Sequence, residues 1–373
     1  MKLNKKLAVI FFFVIIASST IVNAQQPNTN TNTFDGPYLV YKGDSILLST
    51  ANHSASLTVV KQSVSLKDKQ KLAVEVKFSD APEKSFSVKL KKELAIEPAV
   101  WQQPDKILFL SDIEGEFDAL RNLLLANKVI STKYEWIFGK GHLVICGDLF
   151  DRGKDVPAVM WLLYKLEQDA KAKGGYVHTI LGNHDIMNLA GDLRYVDKKY
   201  MKSAEAMGYD YMDLYNENTE LGRWLRSKNL VEKIGDNICL HGGFSAEINK
   251  LRLSIAELNK VSRPYIGFKD LKKKVTDSTI LKIFSSNGLF WNRDYFPKDQ
   301  PVNEQIIDET LAMHNAKRIV VGHTIVPTNI GFYHNGKVLG VDVNHHAGKH
   351  EAALFENKQW YKVNLTGEKI PLK

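Results

Sequence analysis

The sequence predicts an α/β protein that carries a small antiparallel β domain in its N-terminal part. Two patterns carry this prediction: apolar residues alternate with polar ones between residues 38 and 94, and short apolar runs alternate with helix-like stretches after Pro104. The first pattern is typical of half-buried strands, and the second is typical of a sheet packed between helices. A third observation, polar clusters at the ends of five apolar runs, places the candidate chemistry in the second region.

The first 24 residues predict an export signal. Three lysines precede an apolar run over residues 7–17, and a small-residue cleavage pattern ends at Ala24. The run is short for a membrane-spanning helix, so an uncleaved anchor is the less favoured interpretation. We therefore expect a periplasmic or secreted protein without a stable membrane span. Residues 25–34 are polar and low in complexity, which predicts a linker.

The small β domain is predicted over residues 35–98. Within it, residues 72–78 and 86–90 alternate in hydrophobicity on either side of the turn sequence SDAPEK, which indicates a β-hairpin. A further strand is predicted at residues 57–60. This region carries no catalytic constellation, so packing and partner binding both remain open as its role.

The α/β domain is predicted over residues 104–373. Strand-like runs and helix-like stretches alternate in its first part, and residues 191–233 and 246–316 are largely helical and charged. The predicted strands cover residues 107–110, 143–146, 177–181, 238–240, 318–321 and 337–343, and the predicted helices cover residues 117–127 and 156–173.

The composition is that of a globular chain and gives no support to nucleic-acid binding. The 373 residues are 44% hydrophobic and 25% charged, with a formal net charge of +8. Removal of the three N-terminal lysines lowers that charge from +8 to +5. The other lysines are scattered without interleaved aromatic residues, which suits the attraction of small anionic substrates better than that of a polyanion.

Five predicted strands end in clusters of polar residues and glycine. Because ligands of α/β sheets bind outside the carboxyl ends of strands, the clusters can converge on one site, and glycine lets the backbone turn sharply beneath a ligand. Each cluster alone is a weak signal, since acids also cap helices and histidines are often structural. The clusters are Asp112-Ile113-Glu114-Gly115, Gly147-Asp148-Leu149-Phe150-Asp151-Arg152-Gly153, Gly182-Asn183-His184-Asp185, His241-Gly242-Gly243 and Gly322-His323-Thr324.

In this order, the five clusters resemble the motifs of the calcineurin-like metallophosphoesterases. The closer likeness is to the phosphoprotein-phosphatase branch and, within it, to the bacterial Shewanella-like phosphatases. It extends from about residue 107 to residue 343 and does not need the small β domain. The resemblance implies a metallophosphoesterase β-sandwich core flanked by helices, and the activity of a metal-dependent phosphoester hydrolase.

The resemblance also implies two divalent metal ions as cofactors. Carboxylate oxygens and imidazole nitrogens suit Mn, Fe, Zn or Mg, of which Mn is favoured. Two such ions can clamp a phosphate and acidify a bridging water. By the family pattern, Asp148 would bridge both ions, Asp112 and Glu114 would hold the first, and Asn183, His241 and His323 would complete the second.

The family pattern supplies an acid pair and phosphate-binding groups beside the metals. His184 would protonate the leaving oxygen while Asp151 orients its ring, and Arg152 would hold the phosphate with its planar guanidinium. Arg293 and Asn183 would also face the substrate. For Arg293, an aromatic-anchored loop without substrate contact is an equally good interpretation.

One position departs from the family pattern, because Glu114 stands where the first motif carries histidine. We expect Glu114 to bind the first ion, since Asp112 and Glu114 share strand parity and glutamate can reach a divalent ion. A third carboxylate makes the site less positive and the first ion harder, which predicts a preference for Mn or Mg over Zn and an alkaline activity optimum. In the alternative, Glu114 faces solvent and one metal binds.

The leading functional interpretation is an exported phosphomonoesterase that acts on phosphoproteins or on small aryl or alkyl phosphates through metal-activated water. The first alternative is a hydrolase of dinucleoside polyphosphates or other phosphodiesters. The second is a weakened enzyme that binds a partner through its β domain, an alternative that Glu114 keeps open. The expected partner is a phosphorylated substrate and not nucleic acid.

Three further groups are weaker candidates. Arg194 follows the third cluster and could face the phosphate, although a surface arginine is favoured. His345, His346 and His350 follow the sixth predicted strand, where a solvated loop is favoured over a third metal site. His178, inside an apolar run, is expected to be a core residue.

Overall fold

The structure, a computed structural model, describes residues 32–297 and 302–373. The predicted signal peptide, residues 1–24, and most of the predicted linker lie outside the described residues. The linker is predicted to end at residue 34, but Phe34 already begins the first strand. Within the two described segments, none of the helices combines the length and the apolar composition that a membrane crossing requires.

In the described part of the chain, the strands are β1 (Phe34–Lys42), β2 (Ser45–Asn52), β3 (Thr58–Ser65), β4 (Ala73–Val76), β5 (Phe86–Lys89), β6 (Val100–Trp101), β7 (Lys106–Leu110), β8 (His142–Cys146), β9 (Tyr176–Ile180), β10 (Val231–Ile234), β11 (Asn237–Leu240), β12 (Arg318–Val321), β13 (Gly331–Tyr333), β14 (Val338–Gly340), β15 (Glu351–Glu356), β16 (Gln359–Asn364) and β17 (Lys369–Pro371). The α-helices described there are α1 (Phe117–Ala126), α2 (Val156–Ala172), α3 (Asn183–Ala190), α4 (Lys198–Met207), α5 (Glu220–Arg226), α6 (Ala246–Asn249), α7 (Ile255–Ser262), α8 (Leu271–Lys274), α9 (Ser278–Ile283) and α10 (Glu304–Met313).

Two six-stranded sheets form the core. One has the strand order β13-β14-β12-β11-β10-β6 and the other has the order β17-β16-β15-β7-β8-β9. Phe109 and Val144 from one sheet share an apolar cluster with Cys239 and Val320 from the other. Alternate residues such as Leu108 belong to a second cluster that includes side chains of α1 and α2. Strands buried on both faces explain why the sequence shows continuous apolar runs, and the predicted sandwich flanked by helices is confirmed.

The N-terminal strands form two small antiparallel sheets, β1-β2-β3 and β4-β5. The predicted hairpin is present, with Val74 opposite Val88 and Val76 opposite Phe86. These strands contact the rest of the protein: the Trp161 indole N–H donates to the Pro37 carbonyl at 2.9 Å. Residues 32–373 cluster as one compact unit, so the boundary near residue 98 stays a prediction.

A buried carboxylate ties the N-terminal region to the helices. Glu167 pairs with Lys91 and, at 2.6 Å, with Lys228, and it accepts the Trp224 indole N–H at 2.9 Å. Burial alone would raise the pKa of Glu167, but the two lysines lower it to about 2. Because both lysines share one buried acid, the network joins Lys91 to α2, which carries Glu167, and to Lys228, which lies just before β10.

Most strands predicted in the α/β region are observed within a residue or two, but the predictions for two segments are wrong in part. The run at residues 337–343 yields only a three-residue strand, because beyond Val341 the backbone pairs with the loop after β12 instead of with that strand: the Asp342 carbonyl accepts the Val326 N–H at 3.0 Å. The segment 191–233 ends in β10 rather than in helix. Its Glu232 is buried against His178 at 2.6 Å, so this strand lacks an apolar run, and His178 is a core residue as predicted.

Candidate active site

The five polar clusters meet at the carboxyl ends of strands from both sheets. Strands β7 and β8 end two residues before Asp112 and Asp148, α3 begins at Asn183, and β11 and β12 end just before the two histidine clusters. They surround a cavity of about 460 Å³. The predicted site residues that line this cavity are Asp112, Glu114, Asp148, Arg152, His184, Arg293 and His323.

The three other predicted site residues, Asp151, Asn183 and His241, lie directly behind the residues that line the cavity. The amide oxygen of Asn183 is 2.8 Å from Nε2 of His241, and Nδ1 of His241 donates to the Cys146 carbonyl at 2.8 Å. Asp151 contacts the ring of His184. The structure therefore brings every predicted site residue to one place.

Several of these side chains leave the backbone from a left-handed conformation. Such a backbone costs a residue other than glycine on the order of 1–3 kcal/mol, and it persists where the surroundings enforce it. The chain turns sharply at the strand ends, and this conformation directs all of these side chains except that of Asp151 into the cavity. The residues with φ between 44° and 76° are Asp112, Glu114, Asp148, Asp151, Arg152 and His323.

Two glycines let carboxylates pass close to a neighbouring backbone. A Cβ atom on Gly182 would lie 2.1 Å from Oδ1 of Asp148, and one on Gly322 would lie 2.5 Å from Oδ2 of Asp112. Neither carboxylate could keep its position beside an alanine. The glycines of the third and fifth clusters are therefore required by close approach.

Two buried groups of ligand atoms fit a metal ion, and they share Asp148. One group comprises Asp148, His241 and His323, and the other comprises Glu114, Asp148 and His184; within each group the ligand atoms lie within 4.8 Å of one another. Carboxylate and imidazole donors at such spacing suit divalent transition metals. The donor set therefore fits the metal chemistry that the sequence predicts.

The electrostatics of the cavity favour a cation. Burial raises the pKa of Asp112 to about 6, with a further contribution from the charge of Asp148. Although burial opposes it, His241 lowers the pKa of Asp148 to about 2. Burial also disfavours the charged form of His241, yet Asp148 and Asp112 raise its pKa to about 10. Two buried acids thus hold a proton on a histidine, which a metal ion would displace.

His184 and Asp151 form a buried pair. Nδ1 of His184 donates to Oδ2 of Asp151 at 2.5 Å, and Asn188 donates to the other oxygen of Asp151 at 2.8 Å. Burial lowers the pKa of His184, but the Asp151 hydrogen bond and the charge of Asp148 outweigh it and leave the pKa raised. Nε2 of His184 lies 3.8 Å from Oε1 of Glu114, on the cavity side. The ring can therefore carry a proton into the cavity.

The two predicted arginines both line the cavity. Arg152 forms an ion pair with Glu114, which is only 7% exposed and therefore does not face solvent. Arg293 donates to the His323 carbonyl at 2.7 Å and to the Thr324 hydroxyl at 3.2 Å. The segment of Arg293 is thus anchored, and its guanidinium still lines the cavity.

Sequence analysis missed the roles of two acids. Asp185 accepts backbone N–H groups of Asp148 at 3.1 Å, Leu149 at 2.9 Å and Gly182 at 2.8 Å, so it fastens the second and third clusters together. Asp342 lines the cavity, and burial together with the charge of Asp112 raises its pKa well above its ordinary value. Asp342 lies two residues after β14, the same position relative to a strand end as Asp112 and Asp148, and this position could have identified it. It was overlooked because the whole run 337–343 was assigned to a strand.

The weaker candidates lie at the margin of the site. Arg194 donates two hydrogen bonds of 2.8 Å to the carboxylate of Asp192. It is a surface residue, the interpretation that the sequence favoured. The expectation of a solvated loop is wrong for His345, which is 2% exposed and 3.2 Å from His350 between their Nδ1 atoms. Among the residues that the structure describes, neither belongs to a group of three potential metal ligands.

Known proteins share this sequence and fold. The family model for calcineurin-like phosphoesterases matches residues 105–327. Shewanella-like protein phosphatase 1 of Plasmodium berghei is 31% identical over 248 residues, which cover 64% of this chain and 66% of that protein. Shewanella-like protein phosphatase 2 of Arabidopsis thaliana is 24% identical over 289 residues, with 65% and 72% covered.

Two solved structures superpose on nearly the whole of this chain. A cold-active protein-tyrosine phosphatase of a psychrophilic Shewanella species superposes with a TM-score of 0.81 at 33% identity, covering 91% of this chain and 99% of that one. A structure of a cold-active protein tyrosine phosphatase at 1.1 Å gives a TM-score of 0.82 at 34% identity, covering 92% and 98%. The similarity therefore includes the N-terminal strands.

Proposed function

Since the chain belongs to the calcineurin-like phosphoesterase family, we propose that it is an exported phosphomonoesterase with two divalent metal ions. The predicted phosphoester hydrolase is confirmed at the level of the family. Export, the number of metals and the substrate belong to the proposal. The observation that carries it is the sharing of Asp148 between two groups of buried ligand atoms.

Four of the proposed ligands, Glu114, Asp148, His241 and His323, come from these groups. Asp112 and Asn183 are added from the family pattern, and His184 is assigned to proton donation instead. Bound ions, with Mn favoured, would supply an acidified water and would neutralise phosphate charge. All the proposed ligands are buried, so the surrounding low dielectric strengthens their attraction for a cation. Asp112, Glu114 and Asp148 would hold the first ion, and Asp148, Asn183, His241 and His323 would hold the second.

The side chains around the metals would bind the phosphate and deliver a proton. Arg152 and Arg293 line the cavity and would each hold phosphate oxygens through charged N–H donors. His184 would protonate the leaving oxygen from Nε2, because Asp151 occupies its Nδ1. Asp151 is a positioning residue, since its carboxylate binds His184 and Asn188 behind the residues that line the cavity.

The charge of the cavity favours a monoester over a diester. A phosphate monoester carries up to two negative charges and three free oxygens, which suits two guanidinium groups better than the single charge of a diester. The relatives named protein phosphatases, and the similar structures named tyrosine phosphatases, support a phosphorylated protein or aryl phosphate as the substrate. Diester hydrolysis and partner binding without catalysis remain the alternatives to test.

Turnover of matched chromogenic substrates tests this proposal. With Mn present, we expect the purified protein to hydrolyse p-nitrophenyl phosphate about 10- to 100-fold faster than bis-p-nitrophenyl phosphate, because the diester loses one charged contact. Arg152→Gln should remove most of this preference. Arg194→Gln, which changes a surface arginine in the same region, should keep it.

Two results would contradict the proposal in different ways. Faster turnover of the diester would favour a phosphodiesterase or a dinucleoside polyphosphate hydrolase. Absence of turnover of either substrate by protein that contains two metals would favour a binding protein.

Metal counting tests the proposed role of Glu114. We expect two equivalents per chain in the wild type, two in Glu114→His and close to one in Glu114→Gln, since glutamine lacks the negative charge with which Glu114 would attract a divalent ion. The wild type should also prefer Mn over Zn more strongly than Glu114→His does, because a third carboxylate hardens the site. Elemental analysis after dialysis against both metals measures stoichiometry and preference.

A matched glutamate controls for nonspecific charge effects. Glu116 lies two residues away and contacts His346 at 2.7 Å, outside the groups of potential metal ligands in the described chain, so Glu116→Gln should bind as much metal as the wild type. One equivalent in the wild type that rises to two in Glu114→His would refute the role of Glu114.

A further inference from the structure

Tyr195 is an exposed aromatic side chain next to the proposed proton donor. It is 46% exposed, although the residues that surround the site are largely buried. Its ring centroid lies 5.1 Å from that of His184, with 57° between the two planes. No sequence pattern marked this residue, which follows the third cluster in a loop after α3.

The backbone and two arginines fix the position of this ring. The Tyr195 carbonyl accepts the backbone N–H of Arg152 at 3.3 Å. The guanidinium carbons of Arg152 and Arg194 lie 5.7 Å and 5.6 Å from the ring centroid, within the range of a cation–π contact. Arg194 is held in turn by Asp192 through two hydrogen bonds of 2.8 Å. The exposed ring is therefore positioned by several contacts.

The orientation of His184 places the leaving group beside this ring. Because Nδ1 of His184 is bound to Asp151, the proton must leave from Nε2, which lies on the cavity side near Glu114. A proton donor must come within hydrogen-bond reach of the leaving oxygen. The first atoms attached to that oxygen consequently lie close to the imidazole, whose ring contacts the exposed ring of Tyr195.

Aromatic faces distinguish aromatic partners from alkyl ones. Aromatic rings attract one another in offset or tilted arrangements, whereas a small hydroxylated alkyl group gains little from such a face. Resting on the proposed function, we infer that Tyr195 is a specificity-determining residue that stacks with aromatic leaving groups, such as phosphorylated tyrosine or small aryl phosphates. It selects them over alkyl phosphates through binding and not through the chemical step.

A comparison of three phosphate monoesters tests this inference. The substrates are 2-naphthyl phosphate, phenyl phosphate and glycerol 2-phosphate, assayed with the metal-loaded protein. Tyr195→Leu keeps an apolar side chain but removes the ring, so we expect the KM for both aryl phosphates to rise about 3- to 10-fold, most for the naphthyl ester. The KM for glycerol 2-phosphate and all kcat values should stay close to wild type.

Three variants make the comparison specific to the ring. Tyr195→Phe retains the aromatic face and should behave as the wild type. Tyr195→Ala lacks the ring as well and must repeat the pattern of Tyr195→Leu, so the test does not depend on the folding of one variant. Phe268→Leu makes the same kind of exchange at an exposed aromatic residue whose ring contacts Tyr265 rather than His184, and it should change nothing.

The outcomes separate the inference from the proposed function. An unchanged KM for the aryl phosphates would overturn the inference. A fall in kcat shared by all three substrates would also overturn it, because Tyr195 would then act only by positioning His184. If the wild type hydrolysed none of the three phosphates, the proposed function itself would fail.

Discussion

Asp148→Asn is expected to remove most of the phosphatase activity and to lower the amount of bound metal. Asp148 is the one residue shared by both groups of potential ligands in the described chain. It is 1% exposed, and its carboxylate lies 3.0 Å from Nε2 of His241. An amide of the same shape keeps one oxygen but loses the negative charge that would bridge two cations.

The amide would also disturb the contacts that hold the two clusters together. Oδ1 of Asp148 accepts the backbone N–H of His184 at 2.9 Å, and the other oxygen faces the imidazole of His241. With asparagine, one of these positions becomes an NH₂ donor. The side chain can keep the contact to His184, but its NH₂ group cannot serve as a ligand for a metal beside His241.

Elemental analysis and turnover of p-nitrophenyl phosphate measure the two effects on one sample. Asp105→Asn is the matched control, since it makes the same exchange at an exposed aspartate outside the cavity lining and should leave both values unchanged. If Asp148→Asn keeps activity and metal content near those of the wild type, the proposed dinuclear centre is wrong.

The position of the site was predictable from sequence because the physics that places it is local. Continuous apolar runs mark strands that are buried on both faces, and each run ends in residues that cannot continue a buried strand. Asp112 and Asp148 follow such runs by two residues, so their convergence required only that β7 and β8 pair as neighbouring parallel strands of one sheet. Strand β10 was not predicted because it has no continuous apolar run. Its Glu232 is buried beside a histidine partner and interrupts the apolar pattern.

The contacts between side chains of different clusters were not predictable in the same way. Glu114 pairs with Arg152, and both residues have a positive φ. Glutamate and arginine do not favour this backbone conformation, so the sequence does not predict it. Tyr195 reaches His184 through a loop whose path is set by the Arg152 backbone contact. Asp342 shows the limit of reading apolar runs, since it lies between two valines and nevertheless lines the cavity.

His184→Asn is expected to reduce kcat for phosphate monoesters by about 10²- to 10⁴-fold, the usual effect of losing a general acid. The hydrogen bond to Asp151 and the charge of Asp148 overcome burial and raise the pKa of His184, so its ring stays protonated to a higher pH than an ordinary imidazole. Asparagine cannot donate a proton in this way. The loss should shrink for p-nitrophenyl phosphate relative to phenyl phosphate, because p-nitrophenolate needs less protonation to leave.

The bound metal distinguishes this role from metal ligation, since the His184 ring also belongs to a group with Glu114 and Asp148 that fits a metal ion. A proton donor can be removed without loss of metal, so His184→Asn should contain as much metal as the wild type. His346→Asn, which removes a largely exposed imidazole from the cavity rim, should keep both metal and activity.

A missing metal equivalent in His184→Asn would show that His184 is a ligand. Equal losses for good and poor leaving groups would contradict proton donation even with the metal intact, because only a donor in the transition state makes the rate depend on the basicity of the leaving oxygen.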